Sequence, residues 1–278
     1  GAIIKEWKIN TDTAELEIET LEKLISNKTK IVAVTHCSNI VGSVNELKKI
    51  SELAHKNNAI VIGDGVSYAP HGFPDVKDLG VDFYTFSLYK TYGPHLALLY
   101  GKEEILKKLP NQNHQFLDGS YPYTINPGGP NHEELASLIG IQEYMMDLYS
   151  HHFNDKNLPI RKKINKINNL ISEYEEEIAN PLLEYIDKRD DLRLIGKNRI
   201  SKKNRAPTIA FTSNHKSSKN VSDILVANKI ATRNDNFYAW RCLKALGIDT
   251  EDGLVRLSLT HYNSIEETNL AIKALEKV

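Results

Sequence analysis

Residues 59–101 read AIVIGDGVSYAPHGFPDVKDLGVDFYTFSLYKTYGPHLALLYG, and this stretch decides the fold. AIVIG (59–63) is a short, β-branched, wholly apolar run that stops at Asp64-Gly65, a turn signal. FYTFS (83–87), rich in aromatic residues, is a second strand-like run, followed at once by Leu88-Tyr89-Lys90. A third, 96–100, closes on Gly101, and 76–79 fits a single helical turn between the first two. Working upstream, KIVAVT (30–35) repeats the buried-strand pattern. Residues 44–56 then place Val44, Leu47, Ile50, Leu53 and Ala54 at helical spacing. Strands alternating with amphipathic helices predict an α/β layer fold with a mainly parallel sheet.

At the start of the chain, residues 3–9 read as a strand and 18–26 as a helix. Gly1-Ala2-Ile3-Ile4 begins inside that strand pattern, so more chain is expected before Gly1. Downstream, 110–131 is rich in Pro, Gly and Asn and reads as a loop. The pattern from 133 to about 188 is helical, divided by Pro159 and Pro181, and is expected to bridge two domains. Short strands follow at 192–195, 208–211 and 254–259, with helices near 221–229, 239–246 and 265–278. The organisation expected is a large domain over 1–150 and a smaller α+β domain over 151–278 that includes the bridging helix.

Composition narrows the function classes. The 278 residues are 41% hydrophobic, enough for a substantial core. Charged residues make up 26% and almost cancel, leaving a formal net charge of -1. That balance gives no reason to expect a nucleic-acid or membrane partner, and no run approaches the roughly 20 apolar residues of a membrane span. The densest basic stretch, 197–205, reads as a solvated loop. Two cysteines, Cys37 and Cys242, make no disulfide framework and point to a reducing, cytoplasmic compartment. No metal site is expected.

In an open parallel sheet, ligands bind beyond the carboxyl ends of the strands. Three polar groups fall there: Asn39 after the first strand, Asp64 after the second and Lys90 after the third. If the strands are neighbours, the three converge on one crevice. Each alone has a plainer reading: Asn39 as a helix cap, Asp64-Gly65 as a turn, Lys90 as a surface lysine. Each also has a physical role to play with pyridoxal phosphate. An amine condenses with the cofactor aldehyde. A carboxylate keeps the pyridine nitrogen protonated through a charge-assisted hydrogen bond, and Ser87, three residues before the lysine, can donate to the phosphate.

The chain resembles the class V aminotransferase group of fold-type I pyridoxal-phosphate enzymes, in particular the cysteine desulfurase and selenocysteine lyase branch. The resemblance is carried by residues 35–42 (THCSNIVG), 64–71 (DGVSYAPH), 79–84 (LGVDFY) and 87–94 (SLYKTYGP), and later by 127–133 (PGGPNHE), 255–258 (VRLS), 261–263 (HYN) and Glu266-Glu267. It implies a three-layer large domain with a smaller α+β domain, and a homodimer acting on an amino acid. It also implies roles: Lys90 as the Schiff-base lysine, Asp64 as the pyridinium partner, Ser87 at the phosphate, and Asn39 near the cofactor hydroxyl and substrate. The resemblance further implies that Ser67 stands at a cofactor-binding position and that Arg256 matches the family arginine that clamps the substrate α-carboxylate, a task suited to its bidentate fork. The expected activity is cysteine desulfurase-like; transamination or epimerisation without a persulfide is the alternative.

The sequence also departs from that pattern. Cysteine desulfurases carry a nucleophilic Cys on a small-domain loop, yet the matching stretch, 232–239 (TRNDNFYA), has none. Cys242 lies a few residues on, where a helix is expected and a thiol is usually a small apolar group. Ser67 replaces a frequent Gln, Tyr89 a frequent His, and Gly129 a frequent Thr. About a hundred residues that supply a phosphate-binding loop in the family have no counterpart before Gly1. A further expectation is therefore a catalytically incomplete, N-terminally truncated fragment.

Overall fold

The computed structural model describes residues 1–126, 128–201 and 203–278. Pro127, the first residue of the 127–133 motif, and Lys202 lie outside the described residues. The chain forms two compact units, one of residues Ser26–His36 and Glu46–Ile167, the other of Gly1–Ile25, Cys37–Asn45 and Asn168–Val278. In chain order the elements are α1 (Ile18–Leu24), β1 (Ile31–Thr35), α2 (Leu47–Lys56), β2 (Ile60–Asp64), α3 (Val76–Leu79), β3 (Phe83–Ser87), β4 (Ala97–Gly101), α4 (Glu103–Leu106), α5 (His132–His152) and α6 (Ile160–Asp187). They continue with β5 (Leu192–Leu194), β6 (Thr208–Ser213), α7 (Ser218–Ala227), β7 (Arg233–Asp235), α8 (Trp240–Ala245), β8 (Leu254–Ser258) and α9 (Ile265–Leu275).

The first unit is built on a sheet of order β1-β2-β3-β4, parallel across β1, β2 and β3 and antiparallel for β4. Strand residues alternate between faces. Val32, Val34, Val61, Tyr84 and Phe86 are buried on one face, each apolar side chain contributing roughly 1.5–3 kcal/mol. The other face carries Ile31, Ala33, Ile62, Phe83 and Leu99, of which Ile31 and Leu99 are each 56% exposed. Asp82, buried at the start of β3, ties helix to sheet. Its carboxylate accepts from His55 Nε2 of α2 at 2.8 Å, Val61 N of β2 at 2.8 Å and Lys102 Nζ at 2.7 Å. Burial alone would raise this carboxyl, but the three donors outweigh it and hold it below the ordinary carboxylate value.

The second unit is an antiparallel sheet of order β5-β6-β8-β7. Ile178, Leu182, Leu183 and Ile186 of α6, Val221 and Leu225 of α7, and Ala271 and Leu275 of α9 pack on Ile209, Phe211, Val255 and Leu257. A second cluster joins Ile40 and Val41 to Ala210, Phe237, Leu243 and Leu254. Gly42 makes the 37–45 turn possible. It has φ +75, and a Cβ there would stand 2.7 Å from Thr208 O and 2.9 Å from Ala206 O.

Several sequence expectations are corrected. Residues 3–9 pair with no strand among the described residues; Trp7 instead anchors them, its Nε1 donating to Thr20 Oγ1 at 2.7 Å and Glu17 O at 3.1 Å. Pro159 does precede a new helix, but Pro181 lies inside α6, where the apolar stripe around it is fully buried and outweighs the lost N–H. The 197–205 stretch is not uniformly solvated. Arg205 is 2% exposed, its guanidinium donating to the carbonyls of Ile195 at 3.3 Å, Thr208 at 3.1 Å and Lys197. The polar strand β7 carries no sequence signal and forms by pairing with β8.

Candidate functional site

Asp64, Ser67, Ser87 and Lys90 all belong to the parallel-sheet unit. Thr35 pairs with Asp64, and Asp64 with Thr85. Ser87, two residues beyond Thr85, shares that face, so hydroxyls and a carboxylate line the carboxyl end of the uncovered sheet face. Asp64 O accepts from His36 N at 2.6 Å, and Asp64 Oδ1 accepts from Val66 N at 2.9 Å. The second carboxylate oxygen has no protein partner among the described residues, and Asp64 is exposed. Ser67 is half-buried on the turn that follows.

Lys90 ends a single 3-10 turn, Leu88–Lys90, that directly continues β3. The turn is pinned from beneath by buried Thr91, whose Oγ1 donates to Ser87 O at 3.0 Å and Leu88 O at 3.1 Å, and by Gly93 N donating to Leu88 O at 2.9 Å. The Lys90 ammonium is exposed, 5.9 Å from the Tyr89 ring centroid, and no carboxylate pairs with it among the described residues. Tyr89 is itself stacked on His95 at 5.1 Å.

Beneath the Asp64 turn lies a buried group that sequence reading passed over. His36 Nδ1 is 2.7 Å from Tyr84 Oη, and the His36 ring stacks on Tyr68 at 3.7 Å. Burial pushes the His36 imidazole down to about 3, so it is neutral at ordinary pH. A Cβ on Gly65 would stand 2.1 Å from Tyr84 Oη, so only glycine lets the turn lie over this pair. The available signal was a histidine one residue beyond a buried strand.

Asn39 and Arg256 belong to the other unit. Arg256, on β8, donates through Nη1 to Asn39 O at 2.9 Å, and its guanidinium carbon lies 4.0 Å from the Phe237 ring centroid. Asn39 Nδ2 donates to Phe237 O at 2.9 Å. Burial, then the charge of Arg233 opposite it on β7, lower the Arg256 guanidinium from its ordinary value; it remains a cation at neutral pH. No carboxylate pairs with Arg256 among the described residues. A half-buried guanidinium lacking an anion is suited to a carboxylate ligand.

Neither cysteine has the setting of a nucleophile. Cys37 is buried, and burial pushes its thiol up to about 12 although Arg205 opposes this. Cys242 lies half-buried in α8, its thiol also raised by burial. The 235–239 turn presents instead Tyr238, fully exposed at φ 61.

This donor set fits pyridoxal phosphate on the structure's own terms. The parallel-sheet unit offers an exposed amine, a carboxylate with one oxygen unpaired among the described residues, and hydroxyls from Thr35, Thr85 and Ser87. Comparison with known proteins shows the family. The aminotransferase class-V family model matches residues 1–147 and 162–270. An aminotransferase-like protein of Gibberella zeae is 35% identical over 100% of this chain and 66% of its own length. A cysteine desulfurase-like protein of Aspergillus flavus is 30% identical over 100% of this chain and 62% of its own length. Among solved structures, a cysteine desulfurase of Escherichia coli superposes with TM-score 0.79 at 23% identity, covering 97% of this chain and 63% of that one. A cysteine desulfurase of Thermococcus onnurineus gives 0.76 at 25% identity, over 96% and 64%. The chain thus spans about two thirds of these relatives or slightly less. With the family model matching most of the chain, this chain belongs to the class V aminotransferase family.

Proposed function

We propose that this chain belongs to a pyridoxal-phosphate-dependent enzyme that acts on an amino acid, with chemistry related to cysteine desulfuration. One observation carries the reading: Asp64 and Lys90 stand at neighbouring strand ends, and neither has an ionic partner among the described residues. When bound, the cofactor supplies an electron sink for charge developing on the substrate. Lys90 would hold the cofactor through its amine, and that amine would serve as the acid and base at the substrate α and β carbons. Asp64 holds a proton on the ring nitrogen, and Ser87 and Ser67 contribute cofactor contacts. Arg256 binds the substrate carboxylate, with Asn39 beside it. A homodimer in a reducing, cytoplasmic compartment completes the proposal, in keeping with two free thiols.

The test is spectroscopic. Adding pyridoxal phosphate should produce the visible band of the lysine-bound cofactor, and Lys90→Ala should abolish it; a colourless parent protein counts against the reading. A second reading, transamination or epimerisation without a persulfide, is favoured by the absence of a cysteine from 232–239 and by the raised, half-buried thiol of Cys242. Alanine and sulfide release from L-cysteine separates the two. Activity that falls sharply in Cys242→Ser supports persulfide chemistry. Activity equal to the parent's rules out Cys242 as sulfur carrier.

A further inference from the structure

We propose that His36 is a positioning residue: clamped between Tyr84 and Tyr68, it holds the Asp64 carboxylate aimed at a cationic ring nitrogen. The inference rests on the reading of Asp64 as the partner of pyridoxal phosphate and extends it to a residue with no contact to the cofactor.

The argument starts from where His36 sits. It is the first residue after β1, and its backbone N–H donates to Asp64 O at 2.6 Å, so any movement of His36 is transmitted to the last residue of β2. Its ring is fixed from two directions. Tyr84, on the buried face of β3, meets Nδ1 at 2.7 Å, and Tyr68 stacks on the ring at 3.7 Å with the planes 24° apart. Tyr68 lies on the same turn as Asp64, and the Tyr68 and Ala69 N–H groups both donate to Gly65 O, at 3.0 Å and 2.9 Å. Gly65 N in turn donates to Thr85 O at 2.8 Å. The turn from 64 to 69 is therefore wrapped over a phenol–imidazole pair and touches it through a glycine that leaves no slack.

That construction addresses a physical problem. Asp64 is exposed and lacks an ionic partner among the described residues; only one of its oxygens is held, by Val66 N. An exposed carboxylate samples many rotamers, and each freedom removed before the ligand arrives need not be removed on binding. A charged histidine beneath it would pull the carboxylate inward. A buried, neutral one gives rigidity without competing for its charge, and the depressed imidazole agrees with this. The groups facing the ring are Tyr84 from β3 and Tyr68 from the turn.

Tyr84→Phe removes one oxygen and leaves the packed ring in place. Amide hydrogen exchange at Gly65 and Val66 in the cofactor-free protein should accelerate roughly tenfold, the weight of about one hydrogen bond. The pH midpoint at which the lysine-bound cofactor changes its absorbance should move, and pyridoxal-phosphate affinity should fall by a similar factor. His36→Gln is the second variant, with the same expectation. Val61→Ala is the control: it loosens the same core face, so thermal stability falls, but the exchange at 65 and 66 and the absorbance midpoint should stay at parent values. The inference is overturned if Tyr84→Phe and His36→Gln leave exchange, midpoint and affinity unchanged in a parent that binds the cofactor at Lys90. It is overturned equally if Val61→Ala shifts them as much. A parent with no lysine-dependent absorbance overturns the cofactor reading and this inference together.

Discussion

At the scale of single residues, charge without a partner is the common theme. Arg256 reaches a backbone carbonyl and an aromatic ring but no carboxylate among the described residues, so its guanidinium keeps its strongest valences for a ligand. Arg256→Lys keeps the charge and loses the planar fork. We expect KM for the amino-acid substrate to rise roughly 10- to 100-fold, the weight of one charge-assisted hydrogen bond, with a smaller change in kcat. Steady-state kinetics with the cofactor saturating would check this. His36 sets a second expectation. Its imidazole titrates near 6.5 when unfolded and at about 3 when folded, so between those values the unfolded chain holds the extra proton. Its contribution is complete above pH 6.5 and declines as the pH falls toward 3, by about 1.4 kcal/mol per pH unit. Urea unfolding from pH 7 to pH 4 should show that slope in the parent and a flatter one in His36→Gln.

At the scale of elements, end signals matter as much as apolar stripes. Helix α9 opens on a capping box, in which Ser264 Oγ accepts from Glu267 N at 3.3 Å and Glu267 Oε2 accepts from Ser264 N at 2.8 Å. Ser264→Ala should cost about 1 kcal/mol, read as a lower thermal midpoint with no effect on cofactor absorbance. The elements that could be read from sequence share a physical trait: their signal is local. β3 was visible because Phe83 to Phe86 are aromatic or β-branched, and α2 because Leu47, Ile50 and Ala54 repeat on one face. The strand-end position of Asp64 and Lys90 was visible for the same reason. What escaped depends on distant partners. β7 is Arg-Asn-Asp, a poor strand former held by β8, and Arg205 is buried because carbonyls from three separate positions converge on it. The bond between His36 and Tyr84 spans 48 residues, a register that no local pattern encodes.

At the scale of the molecule, the parallel sheet poses a problem that its residues announce. Parallel sheets are ordinarily covered on both faces, yet Ile31 and Leu99 lie exposed on one and the same face of the sheet. Such a surface binds apolar dyes and promotes self-association. Leu99→Lys should reduce dye fluorescence and concentration-dependent association in light scattering, with the thermal midpoint nearly unchanged. The way the chain threads its two units has another consequence. Residues 1–25 and 37–45 belong to the same unit as 168–278, while residues 26–36 and 46–167 form the other. Neither unit is a continuous length of polypeptide, so a gene divided at any one point encodes no intact half. Expressing either unit alone would mean cutting the chain at several points and rejoining the pieces, since residues 1–25 and the nine-residue loop 37–45 both lie far along the chain from 168–278.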